Sequence, residues 1–383
     1  YSSSHPNPNP LLSKRRGDEF KALACGNIGL AVSDVMVDAI KHPETLYQPV
    51  VELSSYQLHY SQDPLAEMGV FTNLTPDHLS WHGGISEYTD AKAKLFVGDT
   101  SAKQAVINLD DPVGMHMAMQ RNAEQCIGIH SKRTPLKQLH IPQLFINQDD
   151  YVEAFIPATL KMLPFFRALR VLHLSRSVFP FEGPHHTQNF LLSLGAVIFN
   201  TWSLAHSLKA LKDPHLSNAY QSFHAMPHRF ERVPMPDNRV VINDSKATNA
   251  EASIAALSCF ERGSHVILLV GGRSKKTPLD QWAKMVKERC LHVFCFGEDA
   301  DEFYEALAGG FPLPSPPPKG EGVKPQIKRI ESMEEATREA LALQDEHPDW
   351  PILLAPASAS QDAFDNFEHR GQVFKDVVRF YIT

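Results

Sequence analysis

The chain has 383 residues, enough for two or three domains, and its 43% apolar content is ordinary for a protein with a sizeable core. A formal charge of −7 leaves no basic footprint for nucleic acid, so an anionic ligand must be held by local charge. The sequence shows no long apolar span of the transmembrane kind, no basic and apolar signal-peptide regions, and five scattered cysteines without zinc-type pairs, which fits a reduced, cytoplasmic protein.

Residues 1–20, YSSSHPNPNPLLSKRRGDEF, are rich in Ser, Pro and Asn and lack apolar periodicity, which predicts disorder. The chain opens at Tyr1, as expected of a fragment, a processed chain or a disrupted reading frame. CGNIGLAVSD (25–34) contains glycines and opens a helix. QPVVELSSYQL, EMGVFTNLT and AKQAVINLDDP each join a short apolar run to polar residues, the pattern of buried parallel strands. GPHHTQNFLLSLGAVIFNTW reads as a helix behind a Gly-Pro turn. After Arg229 the pattern restarts: RVVIN, HVILLVGG, HVFCFG and PILLAP alternate with helical stretches such as SMEEATREALAL. GGFPLPSPPPKGEGVKP (309–325) interrupts them as a Pro-rich inserted loop. The expected architecture is α/β, open sheets with crossover helices, in domains at 21–225 and 226–383.

In open α/β sheets, ligands gather beyond the carboxyl ends of the strands. Glu52, directly after such a run, can hold a hydrated divalent cation or stand as a solvated or capping acid. Asp77 and His78 follow another strand, where a histidine serves as metal ligand, general base or packed side chain. Lys92 and Lys94 in YTDAKAKLF read, on the helical pattern alone, as solvated. The acids of NLDDP belong to a turn and not to a site. In the second domain NDSKATN ends one strand. GGRSKK brings Arg273, Lys275 and Lys276 after another, and Ser358 and Ser360 follow a third, with Phe367 and Arg370 further on. Glycines permit close backbone approach and lysines supply charge. Hydroxyls either cap a helix or bind a carboxylate at its dipole. These strand ends favour a small anion such as a dicarboxylate, with cation ligands in the first domain. A cleft between the two could join an activated phosphate to an acid-bearing acceptor.

A nucleotide-driven ligase of this architecture is expected to carry a phosphate loop, G-x-x-x-x-G-K-[ST]. That string does not occur in the 383 residues: GGRSKK lacks the spacing, and CGNIGLAVSD lacks the lysine.

GNIG, ELSSYQL, TNLTPDHL, YTDAKAKLF, MPHRFE, NDSKATN, LLVGGRSKK and APASASQDAFDNFEHRG resemble, in order and spacing, the motifs of the Mur ligases over residues 22–378. NDSKATN and the serine-rich last string resemble the members that add D-glutamate to UDP-N-acetylmuramoyl-L-alanine. The resemblance implies an incomplete central ATP-binding domain, without its first strand and phosphate loop, then a Rossmann-like C-terminal domain. It also implies absence of the UDP-binding domain, and a monomer; charge and hydropathy predict that the chain binds no nucleic acid or membrane. The implied reaction is ATP-driven amide formation through an acyl phosphate, in peptidoglycan precursor synthesis, with two Mg²⁺ ions.

By motif position, Glu52, His78 and Lys92 resemble the metal ligands, Lys92 as a carbamate, with His78 and Lys92 at the catalytic centre. Asn27, Asn189, Arg229 and Asp244 resemble nucleotide-side contacts. Thr248, Lys275, Ser360 and Phe367 resemble the D-glutamate pocket, with Lys275 paired to a carboxylate. Departures are His186 in place of an Asn, Gln361 at a usually apolar place, and Ser80 where an acid is frequent. Without the loop's amides and lysine the polypeptide alone is expected to have little or no ligase activity. The alternatives are a non-catalytic remnant that binds D-glutamate or nucleotide weakly, and a folylpolyglutamate synthase-like ligase, against which NDSKATN argues.

Overall fold

The computed structural model describes residues 19–27, 29–62, 66–161, 174–179, 183–202, 214–223, 226–309 and 325–382. Residues 1–18 of the segment expected to be disordered, and 310–324 of the Pro-rich insertion, lie outside the described residues. The described residues fall into two compact units, 19–179 with 186–222, and 183–185 with 223–382.

The first unit holds two sheets. β1 (Glu19–Gly26) and β2 (Thr45–Glu52) pair in parallel, from Glu19 opposite Thr45 to Gly26 opposite Glu52, and the helix Val32–Lys41 connects them. β1 therefore starts inside the segment expected to be disordered: Glu19 and Phe20 ladder with Thr45 and Leu46, where the Ser/Pro-rich composition has already ended. The second sheet runs in the order β3 (Met68–Phe71), β4 (Gln104–Asn108), β5 (Cys126–Ile129), β6 (Gln143–Ile146), β7 (Tyr151–Phe155) and β8 (Leu174–Ser175). β3 to β6 are parallel, and β7 and β8 add antiparallel strands at one margin. Ala105, Val106, Ile107 and Ile127 are fully buried, as suits parallel strands covered on both faces. Among the described residues β2 does not ladder with β3, so the open sheet expected here is two sheets. The segments just after these strands do meet. The helix Ser55–Tyr60 packs on the helix Ile85–Ala93, and Ser55 Oγ lies 3.0 Å from His82 Nε2.

The second unit has one sheet, in the order β13 (Gln326–Arg329), β12 (Cys290–Phe296), β11 (Val266–Gly271), β14 (Ile352–Leu354), β10 (Val241–Asn243) and β9 (Glu231–Arg232). Every pairing is parallel except β9 with β10. The run VILLV is buried on both faces. Val266, Leu268 and Val270 join Trp282, Val286 and Phe303, whereas Ile267 and Leu269 join Leu341, Phe374 and Val378. That two-sided burial is why the strand reads as a continuous apolar string. β14 lies between β10 and β11, so the order of the sheet switches there. Among the described residues no disulfide joins the five cysteines, and no helix is long and apolar enough to cross a membrane.

Candidate active site

In the first unit β1 and β2 end side by side. Gly26 has φ 106°, and a Cβ there would lie 2.4 Å from the Glu52 carbonyl oxygen, so only glycine lets the strand ends meet. Asn27 then donates its backbone N–H to the Glu52 carbonyl (2.9 Å) and its Nδ2 to Glu52 Oε1 (2.9 Å). The carboxylate is thus oriented while still exposed at the strand end. His78 follows β3 in a left-handed conformation (φ 56°), a strained choice for a non-glycine residue, with its amide donating to Asp77 Oδ1 (2.9 Å). Its ring lies 5.0 Å from that of Tyr56.

Lys92 is half-buried on the helix Ile85–Ala93, with Nζ 5.4 Å from the Tyr88 ring centre. Burial pushes its ammonium pKa down, and the charges of Glu52 and Asp77 oppose that shift. Glu52 and Asp77 therefore both bear on the Lys92 charge, and Asn27 holds Glu52 in place. Lys94 does something else. It donates to the carbonyls of Leu58 (3.2 Å), His59 (2.7 Å) and Ser61 (3.3 Å), capping the helix Ser55–Tyr60. Asn189 is exposed on the helix Pro184–Trp202.

Among the described residues no three His, Cys, Asp or Glu side chains converge as a closed metal cage. The donor set fits instead a hard cation that keeps most of its waters and takes one or two carboxylates. Glu52, exposed and pre-oriented, is such a donor.

In the second unit the turn 226–230 precedes β9. His228 (φ 64°) and Phe230 (φ 46°) are both left-handed, so backbone strain brackets the exposed Arg229. The Phe230 amide donates to Asp244 Oδ1 (3.0 Å), just beyond β10. Loss of water raises the Asp244 carboxyl to about 6, against the opposing pull of that hydrogen bond and of the Arg229 charge. Arg229 and Asp244 are thus brought together.

The other expected residues gather at neighbouring strand ends. Thr248 lies after β10, Ser360 is buried after β14, and Phe367 opens the helix Phe367–Tyr381. Lys275 is exposed in the loop after β11. That loop is joined to the one after β14 by paired backbone hydrogen bonds between Arg273 and Ala359 (2.9 Å each way). Ser245 Oγ donates to the Phe367 carbonyl (2.8 Å), tying the last helix to the end of β10. Sequence reasoning missed Lys246 here, whose Nζ stands 3.8 Å over the Phe367 ring. The available signal was its place inside NDSKATN, but its partner is more than 100 residues away in the chain. Hydroxyls, cations and an aromatic face at adjoining strand ends suit a small anionic ligand.

Both units match family models, residues 38–197 the Mur ligase middle domain and residues 228–357 the Mur ligase glutamate ligase domain. The chain belongs to the Mur ligase family. It is 30% identical over 363 residues to the UDP-N-acetylmuramoylalanine--D-glutamate ligase of Thermosynechococcus vestitus, covering 94% of this chain and 69% of that protein. The enzyme of the same name from Crocosphaera subtropica is 28% identical, with 94% and 71% covered. Similar solved structures include MurF from Acinetobacter baumannii (TM-score 0.54, 13% identity, 94% of this chain and 77% of that one). Another is a bifunctional folylpolyglutamate synthase/dihydrofolate synthase from Yersinia pestis, complexed with AMPPNP and Mn ion (TM-score 0.51, 15% identity, 93% and 72%). At these identities the solved structures show the shared fold.

Proposed function

We propose that this chain carries the cation-side and amino-acid-side machinery of an ATP-dependent ligase adding D-glutamate to UDP-N-acetylmuramoyl-L-alanine, in peptidoglycan precursor synthesis. The reading rests on its relatives' names and on one observation, the strand-end cluster of the second unit. In the proposed reaction the substrate carboxylate takes the γ-phosphoryl group of ATP and ADP leaves. The D-glutamate nitrogen then attacks the acyl carbon, phosphate departs, and the amine loses a proton.

Bound Mg²⁺ would neutralise the transferring phosphoryl oxygens. Asn27 orients Glu52, and Glu52 with Asp77 would draw the cation in. An ammonium at Lys92 repels that cation. Burial favours the neutral amine, which would add carbon dioxide at nitrogen and release a proton to solvent, giving a carbamate with oxygen donors. Arg229 and Asp244 would face the nucleotide. Thr248, Lys275, Ser360 and Phe367 would receive D-glutamate, with Lys275 paired to one carboxylate. The free thiols support a reducing, cytoplasmic setting.

The polypeptide as given has no G-x-x-x-x-G-K-[ST] string, so it is expected to bind D-glutamate and release little phosphate by itself. Titration calorimetry of the full chain with D-glutamate checks the first part. Lys275→Ala should weaken binding about 10-fold or more, the scale of one charge-assisted hydrogen bond. Equal affinity in wild type and variant removes Lys275 from the pocket. Robust ATP- and D-glutamate-dependent phosphate release from the chain alone refutes the second part.

A further inference from the structure

Arg370 is fully buried at the start of the last helix of the second unit. Its Nε donates to Ser245 Oγ (3.0 Å), and its Nη2 to the carbonyls of Ser245 (2.9 Å) and Ser358 (3.1 Å). Its Nη1 makes longer bonds to the carbonyls of Gly271 and Ala359 (3.4 Å each). These acceptors belong to the ends of β10, β11 and β14, neighbours at the centre of the sheet. One planar fork thus ties together three strand-end loops whose residues are far apart in the chain.

All these partners are neutral. Among the described residues no carboxylate forms an ion pair with Arg370, and the charge of Asp362 supports it only at longer range. Burial brings the guanidinium down to about 10. A buried cation satisfied by dipoles alone is a costly way to fill volume, and an apolar side chain of similar size would pack more cheaply. The backbone also makes room for it. Gly272 has φ 128°, and a Cβ there would lie 2.3 Å from the Ala359 carbonyl oxygen and 3.2 Å from Arg370 Nη1.

We propose that Arg370 is the positioning residue of the carboxylate pocket: its fork sets the loops after β10, β11 and β14 in one register and lends them a positive charge not tied up in a direct ion pair. The ligand class, an acidic amino acid, rests on the function proposed above, whereas the positioning role does not.

The test uses the full chain with Arg370→Met, Arg370→Lys and the milder Ser245→Ala. Hydrogen exchange and D-glutamate calorimetry are the readouts. Arg370→Met should keep the unit folded. It should also speed exchange at the mutually bonded amides of Arg273 and Ala359 at least 10-fold, leave Leu268 and Leu353 protected, and weaken D-glutamate binding at least 10-fold. Arg370→Lys keeps the charge without the fork and should show the same loosening with a smaller loss of affinity. Ser245→Ala should show a weaker form of the same local pattern. Unchanged exchange at Arg273 and Ala359 in the Arg370 variants overturns the proposal. So does a uniform rise that includes Leu268 and Leu353, because that is general core support. If wild type takes up no D-glutamate, the assigned function fails, and the contrast in exchange still decides the positioning role.

Discussion

Asp244 shows how one side chain can set function against stability. Burial holds its carboxyl at about 6 in the folded chain, against the ordinary 3.8 of an aspartate in the unfolded one. The folded state therefore holds the proton more tightly, and stability falls as pH rises between those two values. Above the window the ionised group costs on the order of 3 kcal/mol, taking about 1.4 kcal/mol per pKa unit. Asp244→Asn keeps an acceptor for the Phe230 amide and removes the charge. The difference between the variant's thermal midpoint and that of wild type should widen in the variant's favour from pH 4 to 7, by scanning calorimetry. A difference that stays constant or narrows across this window contradicts the account. A carboxylate held at such a cost, beside the strained turn around Arg229, is the kind of group kept for a ligand.

At the scale of elements, the turn NLDDP proves to be local machinery. Asp111 Oδ1 accepts the amides of Val113 (2.8 Å) and Gly114 (3.0 Å), capping the helix Pro112–Met119. Its Oδ2 also accepts the Leu74 amide (2.8 Å), which fixes the stretch that leads from β3 toward Asp77. Asp111→Ala should cost about 1–2 kcal/mol in urea unfolding, the usual worth of an N-cap. A loss within experimental error would show that solvent replaces those bonds. The turn was legible because capping is local chemistry. So were the buried parallel strands, whose apolar runs are continuous, and the clustering of chemistry where they end. β1 and the antiparallel margin β6–β8 were not. These strands are short or mixed in polarity, so their apolar pattern is weak even where, as between β6 and β7, the partner lies close in the chain. Arg370 was visible as a residue but not as a tie, since its acceptors are backbone carbonyls that leave no trace in residue identity. The pairing of Lys246 with Phe367 was hidden because the two lie far apart in the chain.

For the whole molecule, the divided sheet of the first unit sets solution behaviour. β2 has β1 as its ladder neighbour and β3 has β4, so each leaves one edge without a ladder among the described residues. Val50 is 63% exposed and Val70 41%, and Met36 and Ile40 of the helix that connects β1 and β2 are exposed as well. Apolar edges of this kind pair with other chains. The full chain should therefore associate as its concentration rises, against the monomer that the resemblance implies, and Val50→Lys should suppress it in light scattering. Scattering that is independent of concentration in both proteins would rule this out.

The second unit carries a different burden, set by β14. This strand enters the centre of its sheet between β10 and β11, which precede it in the chain by about 110 and 85 residues. On a ribosome, the two earlier strands must wait for it with their facing edges unsatisfied. Neither can close the gap alone, because the ladder there is supplied by residues 352–354. Closing loops of such length is entropically slow. The loops after β10, β11 and β14 therefore acquire their shape only once residues 352–354 have joined the sheet, and a chain cut before β14 lacks that arrangement.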